Sequence, residues 1–339
     1  SILMLCILGI GAFFIVQSSK FKKIQKTILW SYFIVFALGC IWVGMYAPGG
    51  LSSIPNNILS INVSAIRDQF SEINEKNIPD TYEKFFTKKK WSDHQPNVII
   101  VFAESLSPID SLRVGKKYDN LPYFDRIQQQ GITFTNFINN GCTSDTAHIG
   151  LLMGIEPIKL FWYSVGAYSG FKNFTESLPL FFKKQGYASI FLSAVDIDFL
   201  GQKEFISSVW FDTIIGKEAF EQEKKYVFDA APDHTLYNKT LETIQQQTGS
   251  YFVVLQSISF HKPYNTPYGK TEKSALRYAD KSLYYFYLQL KKSWFFNNGI
   301  LVIVTDHRKM ETIEKGEQDV LGEYRYTKGV ATIVGTGIA

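Results

Sequence analysis

The sequence predicts an α/β domain with a mostly parallel sheet, preceded by transmembrane helices, and three observations carry that reading. Asn97–Ala103 (NVIIVFA), Tyr251–Ile258 (YFVVLQSI) and Gly299–Thr305 (GILVIVT) are continuous apolar runs rich in β-branched residues, as strands buried on both faces require. Segments of helical character alternate with them, which lays helices over the faces of the sheet. Two uncharged apolar stretches fill the first 46 residues.

Taken in order, Ser1–Val16 holds no charge, and Ile28–Tyr46 approaches the roughly 20 residues that cross a bilayer. Lys20, Lys22, Lys23 and Lys26 lie between them. A short basic loop belongs on the cytoplasmic side, which sends Ala47 and the rest of the chain to the outer face. Trp30, Tyr32, Trp42 and Tyr46 suit interfacial anchoring of the second span. A signal peptide is the lesser reading, because another apolar span precedes the basic loop. The sequence opens inside a hydrophobic run without Met and stops at GTGIA. The expectation is therefore two spans (1–46) that are the last of a larger set, and a final domain cut short at its C-terminus.

Residues 47–95 read as a juxtamembrane helical linker, with Pro48-Gly49-Gly50 at its start, amphipathic stretches over Ser64–Asn74 and Tyr82–Phe86, and a solvated Lys88-Lys89-Lys90 run. Residues 96–339 form the predicted catalytic domain. After the Asn97–Ala103 strand, Leu121–Gln130 is a helix with Pro122 early and Gly131 after it. Strands follow at Thr133–Phe137 and Ala188–Leu192, with helices at Ser177–Gln185 and Asp233–Gln247. In Leu276–Asn298, Leu276, Ala279, Leu283, Phe286 and Leu290 make one apolar stripe at helical spacing. Gly329–Val334 is a further strand. There are no internal repeats.

Composition narrows the function. Of 339 residues 46% are hydrophobic and 19% charged, which excludes a disordered chain. A net charge of +4 without a basic stripe excludes a nucleic-acid partner, and three cysteines cannot make a disulfide scaffold at this length.

In open α/β sheets, ligands bind beyond the carboxyl ends of the strands. The first strand runs into Glu104-Ser105, the Gly299–Thr305 strand into Asp306-His307, and the middle strand into Ser259-Phe260-His261-Lys262-Pro263. Singly, Glu104 reads as a helix-start carboxylate, Asp306 as a cap and His261 as a loop residue. Together, two carboxylates and a histidine at strand ends suit one divalent cation, with positions open to substrate. Gly141-Cys142-Thr143-Ser144-Asp145-Thr146 leads into AHIGLLMG. Such a loop supplies helix caps, and its free N–H groups also suit a nucleophilic hydroxyl and an incoming phosphate. His148 reads as packing, His234 carries no assigned chemistry, and Asp196 and Asp198 sit in a solvated loop.

NVIIVFAES, PYFDRIQQQGITFTNFINNGCTSD, FHKPY and LVIVTDH, in that order over about residues 96–335, resemble the lipoteichoic acid synthase and sulfatase-like branch of the alkaline phosphatase superfamily. The resemblance implies an alkaline-phosphatase-like α/β/α sandwich on a multi-pass anchor in a bacterial inner (cell) membrane, with the catalytic domain outside the cytoplasm. It implies a metal, most often Mn²⁺ with Mg²⁺ or Zn²⁺ as alternatives, held by Glu104, Thr143, Asp306 and His307. It also implies Thr143 as nucleophile and His261 beside the substrate phosphate. The activity implied moves a headgroup such as phosphoglycerol from a membrane phospholipid donor to a cell-envelope glycan or polyol through a phospho-threonine intermediate. A metal-dependent phosphatase or phosphodiesterase, and a non-catalytic relative, are the alternatives. The family's Asp-His-Gly is Asp306-His307-Arg308 here, which predicts extra positive charge from Arg308 and Lys309 near the phosphate. The Trp and Arg that lipoteichoic acid synthases place after the middle strand give way to Phe199 and Gln202. Cys142 lacks the Cys-x-Pro-x-Arg context of true sulfatases, so sulfate-ester hydrolysis is not expected.

Overall fold

The computed structural model describes residues 95–155, 167–170, 176–313, 315–324 and 326–338. The predicted spans over 1–46 and the linker up to residue 94 lie outside the described residues. Among the described residues, no helix is long and apolar enough to cross a membrane.

Among the described residues, seven strands form one sheet: β1 (Asn97–Ala103), β2 (Ile132–Ile138), β3 (Ala188–Ser193), β4 (Thr213–Ile215), β5 (Tyr251–Gln256), β6 (Gly299–Thr305) and β7 (Lys328–Gly335). Their order is β2-β7-β6-β1-β5-β3-β4. Only β7 runs against the others, pairing antiparallel with β6 on one side and β2 on the other. The central strand β1 lies parallel to both β5 and β6.

The helices are α1 (Leu112–Gly115), α2 (Pro122–Gln128), α3 (Ser144–Met153), α4 (Leu178–Lys184), α5 (Gln202–Ser208), α6 (Asp233–Gln245), α7 (Glu272–Lys292) and α8 (Lys315–Leu321). Alternation along the strands divides the core into two layers, as a sheet buried on both faces demands. Ile99, Val101, Val253, Leu255, Leu301 and Ile303 face α2, α6 and α7 through Phe124, Leu236 and the Leu276–Ala279–Leu283–Phe286–Leu290 stripe. Val98, Ile100, Phe102, Phe252 and Val254 face α3, α4 and α5 through Leu152, Phe182 and Phe205. The α/β/α sandwich follows from that division.

Local chemistry sets the ends of the elements. Thr271 caps α7 by accepting from the Ser274 N–H at 3.2 Å, so the helix begins at Glu272, four residues before the predicted start. Trp294, in left-handed backbone at φ 61°, follows its end. The N-terminus of α2 has no cap from its own chain neighbours. Instead Asp280 of α7 accepts from the Tyr123 and Phe124 N–H groups at 3.0 and 2.7 Å. Gly131 stays small because a Cβ there would lie 2.0 Å from the Ile333 carbonyl oxygen of β7. The short α5, β4 and α8 escape sequence reading. α5 begins only after left-handed Leu200 and Gly201, and β4 is too brief to show a period.

Candidate metal centre and active site

Register delivers the site. Phe102 pairs with Gln256 on one side and Val304 on the other, and Ala103 pairs with Thr305. Glu104, Ser257 and Asp306 therefore leave the sheet side by side, at the carboxyl ends of the three central strands. The chain turns sharply there: Ser105 has φ 57°, a left-handed position that costs a non-glycine residue energy. Asp306 Oδ1 holds the turn by accepting from the Ser105 N–H at 2.9 Å, and Ser105 Oγ donates to Glu104 Oε1 at 2.9 Å.

Glu104, Asp306 and His307 are all buried, and one ligand atom from each lies within 4.8 Å of the others. His307 Nε2 is 3.0 Å from Glu104 Oε1 and 3.5 Å from Asp306 Oδ2. Its Nδ1 lies 2.8 Å from the Arg308 carbonyl oxygen, an acceptor that keeps a proton on Nδ1, so that Nε2 faces the two carboxylates and would give up its own proton to a bound cation. Asp306 Oδ2 is buried and has no hydrogen-bond partner. An orphaned carboxylate oxygen beside a second carboxylate and an imidazole nitrogen is the donor chemistry of a divalent cation site, and these residues fit one.

The electrostatics express the same crowding. Burial and the adjacent Glu104 charge push Asp306 well above the usual carboxylate range. Against burial, which would raise it, His307 and His261 hold Glu104 well below that range. Burial alone would lower His307, yet the Asp306 and Glu104 carboxylates push it up to about 10.

His261 approaches from the β5 side, its Nε2 4.0 Å from Glu104 Oε1 and its Nδ1 turned to the Lys262 carbonyl oxygen. Asp233 fixes the segment leading to it, accepting from the Ile258 and Ser259 N–H groups at 2.8 and 3.1 Å. Burial pushes Asp233 up to about 6. Thr143 precedes α3 in extended backbone, and its Oγ1 donates to Asp145 Oδ1 at 2.5 Å. The hydroxyl that meets the triad is that of Ser144, which donates to Glu104 Oε2 at 2.8 Å and lies 3.3 Å from His307 Nε2.

The sulfatase family profile matches residues 96–325. This chain belongs to the sulfatase family. Solved structures share its fold. An alkaline phosphatase superfamily protein from Vibrio parahaemolyticus is 23% identical with a TM-score of 0.62, over 72% of this chain and 61% of that one. The lipoteichoic acid synthase LtaP from Listeria monocytogenes is 21% identical with a TM-score of 0.62, over 72% and 66%. The Streptococcus pyogenes phosphoglycerol transferase GacH, in complex with sn-glycerol-1-phosphate, is 19% identical with a TM-score of 0.53, over 73% and 71%. The chain spans less than two thirds of the length of the first two.

Two sequence expectations for this sulfatase-family chain need correction. Arg308 does not add charge at the site: it is buried against Glu317, with Nε and Nη2 donating at 2.7 and 2.6 Å. Lys309 is likewise engaged, 3.1 Å from Asp110 Oδ2 and 2.6 Å from Glu272 Oε1. Cys142 is an exposed free thiol. His148 is a packing residue as expected, its Nδ1 2.6 Å from the Tyr168 hydroxyl. Asp196 and Asp198 pair with Lys217 and Lys203.

Sequence reading missed Gln256, whose Nε2 donates to Glu104 Oε2 at 3.4 Å and whose Oε1 accepts from Gln202 at 2.8 Å. The signal was present, since Gln256 is the first polar residue in YFVVLQSI and marks where β5 meets the site. Gln202 belongs to this relay, while Phe199 is mostly exposed.

Proposed function

We propose that the chain is a metal-dependent phosphotransferase that moves the phosphorus-containing headgroup of a membrane phospholipid, phosphoglycerol or similar, to a cell-envelope glycan or polyol outside the cytoplasm. The observation that carries this reading is the buried Glu104–Asp306–His307 triad with the N-terminus of α3, its Ser144 hydroxyl and His261 beside it. The fold shared with a lipoteichoic acid synthase and a phosphoglycerol transferase supports phosphoryl-group transfer.

Glu104, Asp306 and His307 would hold a divalent cation, Mn²⁺ by family resemblance. Such an ion supplies charge neutralisation at phosphate and lowers the pKa of a neighbouring hydroxyl. In the first half-reaction a hydroxyl at the start of α3, where the resemblance implies Thr143, attacks phosphorus and the lipid alcohol departs. The free N–H groups at the start of α3 favour the phosphate's negative charge. His261 Nε2 gives a proton to the departing oxygen and recovers one from the acceptor hydroxyl in the second half-reaction. A phosphodiester donor suits a compartment without ATP, because the headgroup bond carries its own transfer potential.

The test uses purified chain with phosphatidylglycerol vesicles, Mn²⁺ and candidate glycans. Diacylglycerol release together with phosphoglycerol on the glycan is expected. Free glycerol phosphate as the sole product would make the protein a hydrolase, and no diacylglycerol release with Mn²⁺, Mg²⁺ or Zn²⁺ would overturn the reading.

A further inference from the structure

Folding gathers on one surface cations that the sequence scatters. Lys273, Arg277 and Lys281 recur every fourth residue along α7, so they share a side of the helix turned away from its Leu276–Ala279–Leu283 core stripe. Lys273 and Arg277 are exposed and Lys281 is half-buried, and exposed Lys270 stands just before the helix. Among the described residues, none of the four is ion-paired with a carboxylate, because the acids beside them are engaged elsewhere. Glu272 binds Lys309 at 2.6 Å, and Asp280 is buried under the Tyr123 and Phe124 N–H groups. A cation in the first turn of a helix opposes the helix dipole, so Lys273 sits where it costs stability.

This end of α7 adjoins the site, since the Lys309 that Glu272 binds follows closely on His307. Lys281 Nζ lies 5.7 Å from the centre of the Tyr268 ring, which packs edge-on against Tyr278 with centroids 5.2 Å apart. Tyr268 is 50% exposed, in a turn closed by reciprocal Thr266–Gly269 N–H···O bonds at 3.0 Å. The Val227 N–H ties the neighbouring loop to this turn by donating to the Asn265 carbonyl at 3.2 Å. Phe228, 55% exposed, carries the surface on to His261. Glu221, Glu223 and Asp229 with Lys224 and Lys225 leave the Phe228 loop close to neutral, so the positive charge belongs to the α7 side.

We propose that this surface seats on an anionic phospholipid bilayer, with its four cations over the lipid phosphates and Phe228 and Tyr268 at headgroup level; the inference rests on the phosphotransferase reading above. Charge complementarity names the occupant, because a phosphoglycerol lipid carries a phosphodiester anion and no amine to offset it. Lys and Arg gain from the negative potential of such a surface, and aromatic rings settle at its boundary between water and acyl chains. A soluble polyanion offers the charge but no boundary for the rings. Docked in this way, the mouth of the site opens beside headgroups that are still in the bilayer.

Hydrogen exchange tests the docking without turnover. The full chain is reconstituted, without metal, into phosphatidylcholine vesicles with or without phosphatidylglycerol, and exchange is followed over residues 224–230 and 262–281. Phosphatidylglycerol is expected to slow exchange there about tenfold, and about 1 M salt, which shortens screening to about 3 Å, is expected to reverse it. Lys273→Gln combined with Lys281→Gln is expected to lose most of this protection. Lys291→Gln combined with Lys292→Gln, the same charge change at the far end of α7, is expected to keep it. Equal exchange in the two kinds of vesicle overturns the inference, as does an equal loss in the two double variants. Protection by dextran sulfate in phosphatidylcholine vesicles, with none from phosphatidylglycerol, assigns the surface to a charged glycan and also overturns it. Diacylglycerol release with Mn²⁺, measured in parallel, separates the two readings. Release without protection removes the docking surface and leaves the transferase standing, whereas protection without release supports the surface and removes the transferase.

Discussion

The ring of Phe228 stands edge-on to the ring of His261, with centroids 4.8 Å apart and planes inclined at 67°. Phe228 and Asp229 both occupy left-handed backbone, at φ 51° and 55°, and the Phe228 side chain remains largely exposed. Two consecutive strained residues hold an apolar ring over the histidine that the proposed mechanism uses as acid and base.

That contact predicts a graded effect. Phe228→Ala removes an aromatic pair worth about 0.5–1.5 kcal/mol, so kcat/KM for headgroup release is expected to fall roughly three- to tenfold. His261→Ala removes the proton donor itself and is expected to cost on the order of 10²–10⁴. Equal losses in the two variants would dissociate His261 from proton transfer.

The Arg308–Glu317 pair predicts a large stability change at a distance from the chemistry. Both side chains are buried, and Arg308 Nη1 also donates to the Glu311 carbonyl at 2.6 Å. Glu317→Ala strands the guanidinium, at a cost of about 3–5 kcal/mol in urea denaturation. Because Arg308 adjoins His307, the same variant is expected to weaken Mn²⁺ binding, read by calorimetry.

Cation binding should register in stability. Metal at about 100 times its Kd is expected to stabilise the fold by roughly 2.7 kcal/mol, seen as a rise in Tm that excess chelator reverses. Asp306→Ala removes the unpartnered oxygen and should abolish the rise.

His148 predicts acid sensitivity. Burial lowers it to about 4, against about 6.5 in an unfolded chain. The unfolded state therefore binds the extra proton between those values. The contribution is complete above pH 6.5 and is lost as pH falls towards 4, about 3 kcal/mol over the window. Wild type is expected to lose about that much more than His148→Gln between pH 7 and 4 in chemical denaturation. An identical pH profile in the variant would show that His148 does not govern the acid limb.

Much of this was legible in the sequence. The β-branched runs at Asn97–Ala103 and Gly299–Thr305 coincide with β1 and β6, since strands buried on both faces carry an uninterrupted apolar signal. Glu104, Asp306 and His307 were legible because strand ends point at the site. The Thr143–Ser144 ambiguity was not. Which of two adjacent hydroxyls turns inward depends on where α3 takes its first helical φ/ψ, and capping rules place that boundary only to within a residue or two. The fate of Arg308 was likewise hidden, because its partner Glu317 lies on a short helix too weakly periodic to announce itself.

The reversed direction of β7 has a practical corollary. Gly335 pairs with Ile300, and Asn97 lies beside Gly299, so β1 begins and β7 ends at the same rim of the sheet. Glu104 and Asp306 occupy the opposite rim, seven residues further along their strands, or roughly 20 Å. A substitution or label placed on that far rim, near Asn97 or Gly335, is therefore expected to leave the strand ends that carry Glu104 and Asp306 undisturbed.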